Sequence, residues 1–477
     1  MTSASESQSF TVIAGDKHSE VPHTLDEPVP QSLGLLDQFG LWGNLGVSLL
    51  GFTGAIFVLQ PNGAGTPELS LAASLNAIVV GTILGTLVVA FSGVAGARTG
   101  APAMVLLRGL FGRRLSYVPT LMNVIQLLGW GVFELVTIAT AAHTVYPGLA
   151  RWAYIVIAGT ITGLLTLRPL GAIRILRRVA TPVVLVVLAY LSIELLRHPL
   201  PAFAHGTWSG YWAATDTVIA VAVSFAPLAA DYTRHSRTPR TAFWGAFVGY
   251  SVTQVLCYVI GLLALVTVAR NPSDIYGAFI AVPLGSLCFA LLATRELDQS
   301  FADVYSTVVS VQNLRPRWDR RALALSVTVL ATALALLINI ADYENFLVLL
   351  GSVFVPMSAV FIVDFFLLAR GDWSLSGYTR RSTMLVPWAC GFIVYQFINP
   401  GYISWWVTVW TRIATILHFH AQTWMSASLS SFVVSALATL ATGALAHVVT
   451  RHRSSKSEDA LRGDSNELLT PPTTPTT

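Results

Sequence analysis

Apolar runs dominate the chain, and polar residues divide them into segments of similar length. The windows 71–91, 117–133, 242–269 and 322–341 carry no charged residue. An α-helix needs about 20 apolar residues to cross the ~30 Å hydrocarbon core of a bilayer. We therefore predict an all-α polytopic membrane protein.

Reading the apolar windows between arginine clusters predicts twelve transmembrane helices. The spans are 36–60, 70–93, 117–143, 151–167, 180–196, 211–230, 241–269, 278–310, 322–341, 345–369, 384–399 and 427–449. The tryptophan-rich stretch 401–419 is short and typical of an interfacial segment.

Arginine is concentrated in every second predicted loop. The rich loops include 98–114, 168–178, 234–240, 315–321 and 370–381, whereas the alternate loops hold single arginines. Because positive residues favour the cytoplasmic side, both termini are predicted to be cytoplasmic. The regular alternation also supports the count of twelve.

Polar sequences flank this helical region. We predict a disordered cytoplasmic tail at 1–32 without a cleavable signal peptide, a twelve-helix domain at 33–450, and a second disordered cytoplasmic tail at 451–477.

Composition fits this picture, with 54% hydrophobic and 11% charged residues. The net charge of +4 gives no reason to expect a nucleic-acid partner, because the placement of the arginines explains it. The three cysteines, Cys257, Cys288 and Cys390, lie in apolar runs without metal-binding spacing and are interpreted as buried free thiols.

Two spans contain helix-breaking residues at mid-membrane depth. Residues 51–54 (GFTG) interrupt the first span and residues 224–227 (SFAP) the sixth. One explanation is a pair of simple kinks. The five-span separation also matches two inverted five-helix repeats, whose interface would hold a binding site.

Gln126, Trp130 and Glu134 share one face of the third span, being four residues apart. An amide, a flat aromatic ring and a carboxylate can together hold a small planar heterocycle. Interhelical packing is the alternative.

The eighth span carries Asp298 and Asp303, after an Arg295–Glu296 pair near one end. Intramembrane carboxylates indicate ion ligands, proton carriers or substrate acceptors. The alternative is an ion pair with Arg295 or a loop arginine.

Six segments together resemble the nucleobase:cation symporter-1 family, most closely its cytosine permease branch, over residues 34–445. They are LWGNLGVSLLGFTGA, ARTGAPAMVLLRGLFGRR, NVIQLLGWGVFE, VSFAPLAADYTRH, FADVYSTVVSVQN and ENFLVLLGSVFVPMSAVFIVDFFL. The resemblance implies a leucine-transporter-like fold with two inverted five-helix repeats plus two extra helices. It also implies cation-coupled uptake by alternating access.

The resemblance also implies roles for individual residues. Trp130 and Phe225 would stack on the base, and Gln126 with the backbone of Ser224 and Ala226 would hydrogen-bond it. Glu134 occupies the position of a polar residue in the hydantoin branch. Asp303 stands where relatives have an asparagine that contacts substrate.

The coupling ion stays open between sodium and a proton. Leu297 and Asp298 stand where relatives have the Ser/Thr pair of their sodium site. Sodium could bind between Leu50, Thr53 and Asp298, or the added carboxylate could carry a proton.

We expect a monomeric, non-enzymatic symporter without cofactors in the plasma membrane, carrying a nucleobase such as cytosine or a purine. A permease for hydroxymethylpyrimidine or another vitamin-like pyrimidine is one alternative, with Asp303 accepting an exocyclic amine. An amino-acid carrier of the same fold is another. A channel or receptor is disfavoured by the paired breaks and by the lack of a repeated ring of charges.

Overall fold

The structure of the protein is a computed structural model that describes residues 30–61, 63, 67–167, 169–269, 271, 274–315, 317–375 and 381–446, without the side chains of 169–181 and 313. Most of both predicted tails lies outside these residues. Within them no strand forms beyond two isolated β-bridges.

The α-helices are α1 (Leu35–Leu45), α2 (Leu49–Leu59), α3 (Leu71–Thr99), α4 (Ala103–Phe111), α5 (Tyr117–Val145), α6 (Arg151–Leu167), α7 (Pro169–Leu196), α8 (Tyr211–Val223), α9 (Ala229–Thr233), α10 (Pro239–Thr267), α11 (Ile275–Ala281), α12 (Gly285–Leu314), α13 (Arg320–Ala335), α14 (Tyr343–Val363), α15 (Leu385–Ile398), α16 (Ser404–Ile416) and α17 (Ala427–Ala446).

All twelve predicted spans overlap helices. By length and composition six described helices can cross a membrane, and the bent pair α1–α2 makes a seventh. Helices α6 and α13 are short, and α12 carries several charges. The all-helical membrane architecture is confirmed, while the count of twelve stays a prediction.

Helix packing connects the two halves of the chain crosswise. The first span (α1, α2) packs on the seventh (α10), and the second (α3) packs on the sixth (α8, α9). The third (α5) packs on the eighth (α12), and the fourth (α6) on the ninth (α13). This pairing is what two intertwined repeats would produce, although the repeats themselves stay a prediction.

The break in the first span lies before the predicted position. Helices α1 and α2 meet at 62° across residues 46–48, so the predicted break at 51–54 is wrong. Gly51 and Gly54 lie inside α2, where they allow α10 to approach closely. A Cβ on Gly54 would lie 2.6 Å from the Tyr258 hydroxyl.

The predicted interruption of the sixth span is present. Helix α8 ends at Val223, a 3-10 turn covers Ala226–Leu228, and α9 begins at Ala229. The segment is not unwound, because the amide of Phe225 donates to the carbonyl of Ala222 at 3.0 Å and that of Leu228 donates to Phe225 at 3.2 Å.

The predicted eighth span, 278–310, is also divided. Helix α11 ends at Ala281 and α12 begins at Gly285, after Leu284 adopts a left-handed conformation with φ of 51°. All four charged residues from Arg295 to Asp303 therefore belong to one uninterrupted helix, α12.

Candidate functional site

The break between α1 and α2 leaves carbonyl groups at one side and amide groups at the other. Such helix ends need partners, and the partial charges there favour cations at the carbonyls and anions at the amides. Helix α12 supplies both kinds of partner.

At the carbonyl side, the Arg295 guanidinium donates to the carbonyl of Asn44, and Gln299 Nε2 donates to that of Leu45 at 2.8 Å. At the amide side, Glu296 Oε1 accepts from Leu49 N at 3.0 Å and from the Ser48 hydroxyl at 2.5 Å. Helix α12 thus places a positive group at the carbonyl end of α1 and a negative group at the amide end of α2, which is the favourable arrangement.

The sequence interpretation of this trio was incomplete. Arg295 and Glu296 were expected to pair near one end of the span. They do form a buried ion pair, Nη1 to Oε2 at 3.9 Å, but both side chains also bind the broken span. Gln299 was not singled out, although its place one turn after Arg295 was a usable signal.

A cavity of about 30 Å³ adjoins this break. Five of the predicted residues line it: Leu50, Trp130, Glu134, Phe225 and Asp303. They come from the first, third, sixth and eighth spans. The structure therefore brings together side chains that are up to 253 positions apart in the sequence.

Trp130 is held at the cavity by rings of α14. Its indole packs edge-to-face on Phe346 at 5.2 Å and on Tyr343 at 5.9 Å. The indole Nε1 is buried and has no acceptor among the described residues. Trp130 therefore offers both a ring face and a spare donor.

Phe225 is held by a second aromatic group. Its ring lies 5.1 Å from that of Tyr250 and 6.5 Å from that of Trp42. Trp130 and Phe225 belong to different spans and line the same cavity, as two stacking partners of one ligand would.

Gln126 and Ser224 bind each other rather than lining the cavity. Gln126 Nε2 donates to the Ser224 carbonyl at 2.9 Å and to Asn123 Oδ1 at 2.8 Å. In this conformation they act as an interhelical link beside the cavity. Ala226 lines a separate small cavity together with Pro227 and α4, so the structure does not place it with the other predicted ligands.

The residues of the predicted sodium site make separate contacts. Asp298 Oδ2 accepts from Asn44 Nδ2 at 2.9 Å, in the last turn of α1. The Thr53 hydroxyl donates to the Leu49 carbonyl at 3.2 Å and lies 2.9 Å from the Tyr276 hydroxyl of α11. Asp298 and Thr53 therefore bind on opposite sides of the break, while Leu50 faces the cavity.

Glu134 belongs to a larger acidic group than the sequence suggested. It lies within electrostatic reach of Glu296, Asp303 and Arg295. Glu134 Oε2 is buried and accepts no hydrogen bond from any described donor. No described group of three His, Cys, Asp or Glu side chains can hold a metal ion.

The family whose members are described as permeases for cytosine/purines, uracil, thiamine and allantoin matches residues 42–384, more than half of the chain. The protein belongs to this permease family. It is accordingly a membrane transporter and not an enzyme, and the resemblance seen in the sequence is confirmed.

Named relatives of this permease are bacterial and fungal. YxlA of Bacillus subtilis, named as a purine-cytosine permease, is 25% identical over 71% of this chain and 77% of its own length. The purine-cytosine permeases FCY21 and FCY2 of Saccharomyces cerevisiae are 26% and 25% identical, over 61% and 64% of this chain. The matches span only 58% and 61% of the yeast proteins.

Among solved structures, the permease is similar to the transporter Mhp1. The inward-facing form gives a TM-score of 0.67 at 16% identity, covering 90% of this chain and 94% of Mhp1. The closed form is a nucleobase-cation-symport-1 family transporter with bromovinylhydantoin bound. It gives a TM-score of 0.65 at 18% identity and covers 87% of this chain and 94% of Mhp1. This likeness establishes the fold, which agrees with the leucine-transporter-like fold expected from the sequence.

Proposed function

We propose that this permease is a secondary active transporter that carries an uncharged planar nucleobase, such as cytosine or a purine, inward together with a cation. It works by alternating access in the plasma membrane, with both termini cytoplasmic. Sodium and a proton are the candidate coupling ions. The family membership and the fold shared with Mhp1 support transport of this class.

One observation carries the choice of substrate class. Trp130 and Phe225 come from two different spans and line one cavity, beside the carboxyl groups of Glu134 and Asp303. Two aromatic faces suit a flat ring, and the carboxyl groups suit its N–H donors. Gln126 and the Ser224 carbonyl lie adjacent and would join the site when the sixth span moves.

A carrier for amino acids fits this site less well. It would use free amides at the helix break to bind a substrate carboxylate. The amide of Leu49 already donates to Glu296, and the amide of Leu50 donates to the Ser48 hydroxyl at 3.0 Å. An aminopyrimidine vitamin precursor, with its amine on Asp303, is the second candidate, because Asp303 lines the cavity.

Uptake of radiolabelled cytosine, adenine, hypoxanthine and allantoin into cells lacking their own permeases tests the proposal. Trp130→Ala should reduce uptake of the preferred base at least about fivefold, because one stacking face is lost and such contacts contribute about 1–3 kcal/mol per base. Trp152→Ala is the matched control, since that indole is 62% exposed on the outer surface. Competition by unlabelled hydroxymethylpyrimidine distinguishes an aminopyrimidine vitamin precursor from a nucleobase as the substrate.

Normal uptake by a well-expressed Trp130→Ala variant would contradict the stacking site. Absence of uptake for every base, with saturable uptake of an amino acid, would contradict the substrate class.

A further inference from the structure

A second and larger cavity lies between α6 and α13, away from the proposed substrate site. Its volume is about 390 Å³, and all of its lining residues belong to these two helices. Several of the apolar side chains that line it are exposed, Leu164 at 62%, Val329 at 67% and Leu336 at 43%. Because α6 and α13 form the predicted fourth and ninth spans, this α6–α13 groove opens toward lipid.

Two glycines of α6 form the floor of the groove. A Cβ on Gly159 would lie 2.1 Å from the Thr332 hydroxyl, and one on Gly163 would lie 3.4 Å from Thr328 Cγ2. Residue numbers rise on α6 as they fall on α13, so the two helices run antiparallel. Larger apolar side chains flank these small residues and form the walls of the groove, namely Val156, Leu164, Leu325, Val329 and Leu336.

The hydroxyl groups in the groove are bound within their own helices. Each donates to the carbonyl four residues earlier, Thr160 at 2.7 Å, Thr328 at 2.8 Å and Thr332 at 2.7 Å. These hydroxyls therefore leave no free donor for a polar ligand. The surface that remains is mainly hydrocarbon, which suits a chain of methylene groups.

The length of the groove matches one leaflet of a bilayer. On α13 it extends from Leu325 to Leu336, which is roughly 16 Å at a rise of 1.5 Å per residue. One leaflet contributes about half of the ~30 Å hydrocarbon core. A single acyl chain that reaches from its headgroup to the middle of the bilayer can therefore lie along the whole groove.

Positive charge is concentrated at the Leu325 end of the groove. Residues 315–321 contain four arginines and one acidic residue, Asp319, whose carboxylate caps α13 by accepting from a first-turn amide at 2.8 Å. Arg321 is exposed and lies one turn before Leu325, and Arg317 is exposed as well. The described carboxylates form no ion pair with Arg317 or Arg321. These two guanidinium groups can therefore take an anion from outside the chain.

The shortness of α13 places this end of the groove near the lipid headgroups. Its 16 residues span about 24 Å, which is less than the ~30 Å hydrocarbon core. The guanidinium of Arg320 is held there, 4.6 Å from the centre of the Tyr305 ring, and Trp318 is 53% exposed. Indole rings and arginine side chains both favour the interface. Charge and depth at this end thus fit the phosphate group of a lipid.

We propose that the α6–α13 groove binds one anionic phospholipid, with an acyl chain along the groove and the phosphate group on Arg317 and Arg321. Loop 315–321 is among those predicted to be cytoplasmic, and the cytoplasmic leaflet carries the anionic lipids. The ligand therefore comes from the inner leaflet. A zwitterionic lipid can offer the same acyl chain but no net charge, so the arginines separate specific binding from ordinary contact with the bilayer. The site shares no lining residue with the substrate cavity and does not depend on the proposed transport function.

Native mass spectrometry of the detergent-purified full-length permease tests the headgroup part of the site. The probes are phosphatidylglycerol and phosphatidylcholine with identical acyl chains. The wild type should bind one phosphatidylglycerol at least about fivefold more tightly than phosphatidylcholine, because each arginine near an anionic lipid contributes a factor of about five. Arg321→Gln should lower the affinity for phosphatidylglycerol about fivefold and leave that for phosphatidylcholine unchanged. Arg240→Gln is the matched control, since this exposed arginine lies in another predicted cytoplasmic loop.

A second variant tests the acyl-chain part of the site. Ala333 is exposed and lines the groove, so the indole of Ala333→Trp would occupy the space of the chain. The affinity for phosphatidylglycerol should fall at least about tenfold, since displacing two methylene groups already has an effect of that size. Ala441→Trp changes an exposed alanine of α17 and should leave the affinity unchanged.

Photolabelling locates the bound chain directly. Phosphatidylglycerol with a diazirine on its acyl chain should label peptides that contain residues 156–164 or 325–336. Excess unlabelled phosphatidylglycerol should suppress this labelling, and an equal amount of phosphatidylcholine should not.

Four results would each overturn the inference. Equal affinities for the two lipids would assign the groove to ordinary bilayer contact. Unchanged phosphatidylglycerol affinity in well-folded Arg321→Gln and Ala333→Trp would place the lipid elsewhere. A wild-type dimer that Ala333→Trp separates would make a second copy of the chain the occupant. Suppression of the photolabelling by inorganic phosphate as effectively as by phosphatidylglycerol would make a free anion, and not a lipid, the ligand of the arginines.

Discussion

Arg295 is the strongest single test of how the broken span is held. In Arg295→Met the chain keeps a side chain of similar length but loses the guanidinium. The variant leaves the Asn44 carbonyl without its donor and Glu296 without its counter-charge. At an effective dielectric constant of about 20, two unit charges 3.9 Å apart attract by roughly 4 kcal/mol.

Both residues are almost completely buried, at 3% and 1% exposure, so solvent would screen this interaction little. Removing one partner of such a pair typically costs about 3–5 kcal/mol, because an unpaired charge stays in the interior. We expect a large loss of thermal stability for the detergent-purified variant, measured by monodisperse recovery after heating.

The double variant Arg295→Met/Glu296→Gln makes the reasoning refutable. It removes both charges. Its loss of stability should be at least about 1 kcal/mol smaller than the sum of the losses in Arg295→Met and Glu296→Gln. Additive single effects, or no loss in Arg295→Met, would show that the ion pair does not support the break.

Three further variants probe other parts of the structure. Asp216→Asn should destabilise the protein by about 2 kcal/mol, because the buried carboxylate accepts from Ser426 and from two amides at the start of α17. Thermal unfolding measures this loss, with Asp319→Asn, at an exposed helix cap, as the control. Gly54→Ala should lower stability and uptake, since its Cβ would lie 2.6 Å from Tyr258, whereas Gly40→Ala meets nothing within 4 Å and should be neutral. Arg381→Lys should speed tryptic cleavage around α4, because Lys cannot keep both bonds to Asp364 and the bond to the Gly109 carbonyl. Cleavage after the exposed Arg317 is the internal control.

Hydropathy was a good guide to the helices because the bilayer penalises polar groups over a fixed length. Every predicted span overlaps a helix. Trp130, Glu134 and Asp303 were selected as aromatic or charged residues within apolar spans, and Phe225 was selected through the helix break and the family resemblance. Such residues are conspicuous in a sequence, and the structure brings these four to one cavity.

The position of the first break could not be read in the same way. Glycine softens a helix, but it also lets a neighbouring helix approach, and local sequence does not separate these roles. Gly51 and Gly54 serve the approach of α10, whereas the chain turns at Gly46. The turn depends on Arg295, Glu296 and Gln299, which are about 250 positions away.

Asp231 shows the same limit at the end of the sixth span. Three arginines, Arg234, Arg237 and Arg240, follow it closely in the sequence. Arg234 does contribute electrostatically, but the hydrogen bond of Asp231 goes to the amide of Ala103 at 2.9 Å, at the start of α4. A backbone amide carries no sequence signal, so this partner could only be found in the fold.

The two broken spans are held with unequal strength by the helices that cross them. On α12, four side chains bind the first span and three of them are charged, whereas from α5 a neutral amide, Gln126, binds the Ser224 carbonyl of the sixth. Hydrogen bonds to charged groups contribute about 1.5–3 kcal/mol and a neutral one about 1 kcal/mol. We therefore expect the sixth span to move before the first span when a base enters the cavity and competes for Gln126. Hydrogen–deuterium exchange should then be faster at residues 224–228 than at 46–50, and the opposite order would contradict this assignment.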